Sequence, residues 1–306
     1  MSRINRREFT ATALGLGALG TLGAPALIAA PSGPLERRIP SSGETIPAIG
    51  VGTVRYGVDE SAASRAPLVA ALERFHALGG RVVDTAPMYR TSETVLGDLI
   101  ASLGIRDDLF VATKVDRDNR KTSIEQMGAS LDKLRVEQVD LMQVHNLIGW
   151  EDNVPLVAEW KEAGKVRYTG ITTHRQSQYA EMERIVEAHE LDFIQINYSL
   201  EQRESAERML PLAADRGVGV IVNRAFGGGR LFDAVGDRPI PDWAAEFDCS
   251  SWAQFMLKYV LSHPAVTVVI PGMTKARHVD DNMAAGQGRL PDAAERRRME
   301  AWFDAL

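Results

Sequence analysis

Three residues of this 306-residue chain stand where apolar, β-rich runs come to an end. Asp84 closes the run in "RVVDTA", Lys114 interrupts "LFVATKV", and His145 ends "VDLMQVH", while Tyr89 follows Asp84 by five residues. Each has a structural explanation when taken singly. An aspartate at a strand end serves turns and caps, a loop tyrosine can be surface, and an interior histidine can bond its neighbours. Lys114 is harder to dismiss, because a lysine ending a buried strand must find a partner. Taken together the four suggest proton chemistry. A phenol with an ordinary pKa of about 10 is a poor donor near neutrality, but a nearby ammonium lowers that value by stabilising the phenolate. Lys114 is expected to do this to Tyr89, Asp84 to hold Lys114 charged and in place, and His145 to direct a carbonyl oxygen toward the Tyr89 hydroxyl. A phenol acid beside a polarised carbonyl suits hydride reduction, in which the oxygen gains a proton as the carbon gains hydride.

Positioning such a set is the task of the surrounding elements. Strand-like runs fall at 48 to 53, 81 to 86, 109 to 115, 139 to 146, 166 to 173, 193 to 199, 218 to 224 and 266 to 272. They are mostly continuous rather than alternating, as in strands buried on both faces. Amphipathic segments separate them. Leu68, Leu72, Phe75 and Leu78 recur at helical spacing before the Gly79-Gly80 stop, and "SIEQMGASLDKL", "LVAEWKEAG", "YAEMERIVEAHE", "AERMLPLAADRG" and "WAQFMLKYVLSH" read the same way. Eight strands alternating with helices predict a parallel sheet closed as a single (β/α)8 TIM barrel, whose chemistry gathers at the C-terminal strand ends. An open doubly wound sheet is the alternative, but no G-x-G-x-x-G follows the first strand, and "FGGGRLF" comes only after the seventh. The lead-in "PSGPLERRIPSSGET" carries no strand assignment, and the tail "DAAERRRMEAWFDAL" reads as an amphipathic helix packed on the barrel.

Composition is that of an ordinary globular chain, with 45% hydrophobic and 25% charged residues. The formal charge of −6 argues against a nucleic-acid surface. The single cysteine, Cys249, excludes an internal disulfide and any multi-cysteine metal site, and reads as a small buried hydrophobe. Residues 1 to 30 differ from the rest: a basic start with Arg6-Arg7 before Glu8-Phe9, an uncharged stretch from Thr10 to Ala30, then small residues. That is the plan of a signal peptide of the twin-arginine type, which would engage the twin-arginine export machinery and deliver a folded protein to the periplasm. A membrane anchor is the alternative, although glycines interrupt the stretch, and no stable span is expected after cleavage. Ala26 and Ala30 are both suitable cleavage points. Removing Arg3, Arg6, Arg7 and Glu8 takes away a net +2, so residues 31 to 306 carry −8.

The motifs resemble those of the aldo-keto reductase family from about Arg37 to Ala285. The family pattern DTAxxYxxSExxLG stands as "DTAPMYRTSETVLG" at 84 to 97, and the lysine and histidine motifs as "ATKV" and "DLMQVHN". "IPAIGVGT" is similar to the family's first strand, "GKVRYTGITT" to its fifth, and "IPGMTKARHVDDN" to its nucleotide-binding segment. The resemblance implies a barrel holding an extended nicotinamide dinucleotide, usually NADPH with NADH as the alternative, a small carbonyl substrate and no metal. It makes Tyr89 the general acid among Asp84, Lys114 and His145. It places Gly52 and Thr53 near the nicotinamide, Thr172 and Gln195 at its carboxamide, and Asp281 and Asn282 at the adenine. Thr172 and Gln195 otherwise read as polar barrel filling.

Several positions depart from the family pattern. Thr173 stands where an asparagine often follows the fifth strand, and Asn223, with Arg224 beside it, replaces the aromatic that stacks on the nicotinamide in many members. Gly272, Met273 and His278 occupy positions that often hold the 2′-phosphate. Lys275 and Arg277 lie nearby and read either as its replacement ligands or as exposed charges at a helix start. The loops after the first, fourth and seventh strands contribute Tyr56, Trp150, Phe232 and Trp243, which suggest an apolar rim, with Trp150 equally able to pack its loop down. Two functions fit: an exported carbonyl reductase, or a nucleotide-binding sensor on a reductase scaffold. Outside the cytoplasm, a tightly held nucleotide recycled between two substrates would meet the lack of a pool to regenerate NADPH.

Overall fold

In a computed structural model, which describes residues 33–306, eight strands form one parallel sheet that closes on itself. The leader reading for residues 1 to 30 lies outside the described residues. Chain order runs β1 (Glu36–Arg38), β2 (Thr45–Pro47), β3 (Val51–Gly52), α1 (Ala62–Ala77), β4 (Val82–Asp84), α2 (Ser92–Leu103), β5 (Phe110–Val115), α3 (Arg120–Leu134), β6 (Val139–His145) and α4 (Trp150–Glu162). It continues with β7 (Val166–Thr172), α5 (Tyr179–Ala188), β8 (Phe193–Asn197), α6 (Met209–Asp215), β9 (Gly219–Asn223), α7 (Arg230–Val235), α8 (Trp252–Leu261), β10 (Val268–Val269), α9 (Ala276–Ala284) and α10 (Ala293–Asp304). Strands β3 to β10 pair in chain order, and the bridges Ile49 with Val269 and Gly52 with Gly272 join the last strand to the first. Each of the eight strand-like runs contains one of these strands. The tail helix α10 packs through Met299 and Trp302, with a capping box between Asp292 and Glu295 at its start.

Three elements depart from the sequence reading, one of them α7, which stands in the stretch read as the loop after the seventh strand. The lead-in forms an antiparallel hairpin, β1 with β2, in place of an unstructured approach. Its apolar residues Ile39 and Ile46 join Val82, Phe110, Leu141, Tyr168, Phe193, Ile221 and Val268 in one cluster that fills the N-terminal end of the barrel. The Tyr168 hydroxyl donates to Glu44 Oε2 at 2.5 Å and lies 2.9 Å from Ser42 Oγ, fastening the plug. The second departure is α2, where no helix was assigned. Thr91 stands at its N-terminus and makes no side-chain cap bond.

The motif glycine at 97 is a packing requirement. A Cβ there would collide with the Lys133 carbonyl and lie 2.9 Å from Leu134 Cα, so α2 rests directly on the end of α3. Gly97→Ala is therefore expected to destabilise the fold by about 1–3 kcal/mol through overpacking, read as a lower midpoint in urea unfolding; an unchanged midpoint would show that the two helices can part freely.

Candidate active site

Because the strands are parallel, residues at their C-terminal ends gather at one end of the barrel. Gly52 faces Asp84, Lys114 faces Gln143, His145 faces Thr172, Thr172 faces Gln195, and Asn197 faces Asn223 across neighbouring strands. At the centre, Lys114 is fully buried. Its Nζ donates to Asp84 Oδ1 at 2.8 Å, to Asp84 Oδ2 at 2.7 Å and to the Thr85 carbonyl at 2.7 Å, so all three ammonium protons are engaged. Asp84 Oδ1 also accepts from Gln195 Nε2 at 2.9 Å and Gln143 Nε2 at 3.2 Å. Burial presses the Lys114 pKa down, but the Asp84 carboxylate and the Tyr89 phenol outweigh it, and the net shift is upward. Lys114 is a fixed charge at neutral pH.

Tyr89 lies over this charge, with Lys114 Nζ 5.4 Å from its ring centroid, and meets His145 edge-on at 6.0 Å. The four residues singled out by type and spacing are thus brought together. One expectation about them is corrected. Burial pushes the Tyr89 phenol above its ordinary value, and the pull of Lys114 and Arg224 does not overcome it. The ammonium therefore leaves the ground-state phenol protonated, which is the form an acid needs, and its charge is available to the phenolate that proton donation leaves behind. His145 is held neutral, its pKa pushed down to about 3 by burial, Lys114 and His174. Its Nδ1 is buried without a hydrogen-bond partner, 3.9 Å from Asp116 Oδ2.

The residues assigned to a nucleotide fall at the same end of the barrel. Thr53 is buried and donates through both N, at 3.0 Å, and Oγ1, at 2.9 Å, to the Asp84 carbonyl. Thr172 Oγ1 donates to Gln195 Oε1 at 3.0 Å, and through Gln195 Nε2 the pair braces Asp84. Asn223 Oδ1 is buried and unpartnered, a free acceptor that an amide N–H from a bound group would satisfy. Lys275 and Arg277 are exposed at the start of α9, beside His278, whose pKa burial and these two cations lower. Asp281 accepts from Ser251 Oγ at 2.7 Å and Gln254 Nε2 at 2.8 Å, tying α9 to the start of α8. Asn282 is buried, and Gly272 is exposed next to Gly52. This donor set, an orphaned buried acceptor at one end and clustered cations at the other, fits a nicotinamide dinucleotide phosphate.

Sequence reasoning missed several residues that hold the site. Gln143 precedes His145 by two, and the period of a strand places both on the inner face. Ser92 Oγ lies 2.9 Å from the Thr53 carbonyl and 3.1 Å from Thr85 Oγ1, and Glu93 accepts from Thr113 Oγ1 at 2.7 Å, so the start of α2 ties three strand ends together. Tyr56 is corrected from rim to core: it is 1% exposed, and its hydroxyl donates to the Met273 carbonyl at 3.0 Å. Trp150 packs its loop, its Nε1 donating to Glu181 at 3.0 Å. Trp243 packs against Phe247 and Phe255, and Phe232 stays exposed. Cys249 is buried. Among the described residues no group of His, Cys, Asp and Glu is arranged to hold a metal ion, and no helix is long and apolar enough to cross a membrane.

A buried lysine and aspartate under a tyrosine and a neutral histidine, at the C-terminal mouth of a (β/α)8 barrel, define an oxidoreductase site for a carbonyl or its alcohol. The chain belongs to the aldo/keto reductase family, whose model matches residues 48–300. It is 28% identical over 266 residues to the methylglyoxal reductase YeaE of Escherichia coli, spanning 84% of this chain and 92% of that protein. L-galactose dehydrogenase of Arabidopsis thaliana is 26% identical over 282 residues, with 81% and 87% covered. An aldo/keto reductase of Klebsiella pneumoniae, solved in complex with NADP and acetate, superposes with a TM-score of 0.73 at 26% identity, covering 85% of this chain and 93% of that one. The protein is an oxidoreductase of this family.

The depressed histidines set a pH dependence of stability. His145 and His263, the latter pushed down to about 4 by burial and Arg296, stay neutral in the fold while their unfolded forms take up protons below an ordinary value of about 6.5. Unfolding is therefore favoured as pH falls from 6.5 toward 4, by up to about 1.4 kcal/mol per pH unit for each group. His263→Gln is expected to flatten that slope in denaturant titrations at stepped pH; an unaltered slope would place the proton uptake elsewhere.

Proposed function

We propose that the enzyme reduces an aldehyde, ketone or keto-sugar to the alcohol, with Tyr89 giving the proton to the substrate oxygen. The observation that carries this reading is the closed set of bonds around Lys114, which holds a permanent positive charge beneath the Tyr89 ring. NADPH supplies the hydride when bound. Asn223 would hold its amide end through the unpartnered Oδ1, Gly52 and Thr53 would line the approach, and Lys275 with Arg277 would meet the adenosine phosphate. Thr172 and Gln195 act on it indirectly, by fixing Asp84.

The chain's own groups divide the work. Neutral His145 orients the carbonyl oxygen through a ring nitrogen. Tyr89 releases its proton to that oxygen, and the Lys114 ammonium stabilises the phenolate that results. Asp84 keeps the ammonium from shifting, and Gln143 and Gln195 keep Asp84 from turning. Bulk solvent reprotonates Tyr89 after the alcohol leaves.

The protein acts in the periplasm under this reading, exported folded by residues 1 to 30 with its nucleotide already bound. Support comes from the Arg6-Arg7 start and the uncharged stretch that follows. Slow nucleotide release then lets one bound molecule be recycled between two substrates. Replacing Arg6 and Arg7 by lysine is expected to leave the protein in the cytoplasmic fraction, and rapid loss of nucleotide on dilution of the exported form would remove the recycling step.

Nucleotide absorbance during turnover tests the chemistry. With a panel of aldehydes, ketones and keto-sugars, Tyr89→Phe is expected to lower kcat by about 10²–10⁴, with nucleotide affinity little altered. Undiminished turnover in Tyr89→Phe would assign the proton to another group. Bound nucleotide with no consumption by the wild type would instead favour a sensor.

A further inference from the structure

The rim of the site carries a charge that the reduction step does not use. Several surface arginines close on carboxylates, Arg203 on Asp304, Arg208 on Glu183, Arg230 on Glu201 and Arg289 on Glu295, whereas others, Arg90 and Arg175 at this end of the barrel among them, form no such pair among the described residues. Arg224, the first residue after β9, is exposed and closes on none among the described residues. Its backbone is held at φ +51°, a left-handed conformation that a long side chain adopts only when its surroundings impose it. Arg90 (φ +59°), Asn146 (φ +53°) and Leu147 (φ +57°) share this conformation, so four of the six such non-glycine residues follow the strand ends around Tyr89.

A bonded arc leads from the catalytic histidine toward Arg224. Asn146, next to His145, accepts through Oδ1 from His174 Nδ1 at 3.0 Å. Asn197 Nδ2 in turn donates to the His174 carbonyl at 3.1 Å, and Asn197 stands in register with Asn223. Arg224 is close enough to pull down both the Tyr89 phenol and the His174 imidazole. Its charge therefore lies over the mouth where the reacting carbonyl must sit. Around the same mouth the loops leave Val54 and Met88 more than half exposed, offering apolar contact and no counter-charge.

We propose that Arg224 binds a carboxylate on the substrate, so that the enzyme prefers an aldehyde or ketone bearing an acid group on an apolar body. This rests on the carbonyl-reductase reading and names the substrate class of that same site. A planar guanidinium with no internal partner offers two parallel N–H bonds, which match the two oxygens of a carboxylate. Arg175 also lowers the His174 pKa, so a second cation stands near the same group and adds to the pull on an anion. In a chain whose formal charge is −6, an uncompensated cation at the mouth also draws acidic substrates to the site and not to the surface at large.

The test is a matched pair, 4-carboxybenzaldehyde and methyl 4-formylbenzoate, assayed by nucleotide consumption in wild type, Arg224→Ala and Arg224→Lys. The ratio of kcat/KM for acid over ester cancels any effect of Arg224 on the nucleotide, which both substrates share. Wild type is expected to favour the acid at least about tenfold, Arg224→Ala to lower the ratio about 10- to 100-fold, and Arg224→Lys to recover part of it. A wild-type ratio near one, or a ratio unmoved in Arg224→Ala, overturns the proposal. If neither compound is consumed, calorimetric titration with 4-(hydroxymethyl)benzoate separates the two readings. Binding at least about tenfold weaker in Arg224→Ala keeps the carboxylate site while the reductase reading falls; equal binding removes the site.

Discussion

The buried pair of Lys114 and Asp84 is the constraint around which this end of the barrel is built. Two ions removed from water lose several kcal/mol of hydration each, and only close geometry with every remaining donor and acceptor engaged returns it. Here the lysine has no free proton, and the carboxylate is also gripped by two glutamines from β6 and β8. Strands β4, β5, β6 and β8 each contribute a side chain to one charge cluster, and Thr172 of β7 secures the last of them. A hydrophobic pair of similar volume would hold the strands as well. What it would not provide is a charge fixed beneath Tyr89.

The segment from 84 to 97 shows how much of this was legible. Asp84 and Tyr89 declared themselves by type, because a carboxylate closing an apolar run and a phenol five residues on are chemically conspicuous. Ser92, Glu93 and Gly97 belong to the same motif but work by contact. They tie Thr53, Thr85 and Thr113 together and let α2 lie on α3, and such roles depend on neighbours brought in by the fold. The eight strands were readable because burial on both faces leaves continuous apolar runs.

What was not legible has physical reasons. The hairpin strands are only three residues each, and "ERR" shows no apolar pattern, since the plug is made by Ile39, just after β1, and Ile46, in the middle of β2. Tyr56 reads as loop aromatic because nothing in the sequence reveals that the Met273 carbonyl, more than two hundred residues away, waits for its hydroxyl. The direction of the Tyr89 shift depends on how deeply the ring is covered, which type and spacing do not reveal.

The barrel closes where the first and last strands meet, and that joint is thin. Strands β3 and β10 are two residues each, and their seam carries two single bridges, Ile49 with Val269 and Gly52 with Gly272, while β6 and β7 pair at six positions. Gly52 and Gly272 stand on opposite sides of this seam. A nucleotide bound across this seam would tie the first strand of the barrel to the last. Its grip would slow the loss of the native state even when no substrate is being turned over. The coenzyme would then serve as a structural fastener as well as a reagent.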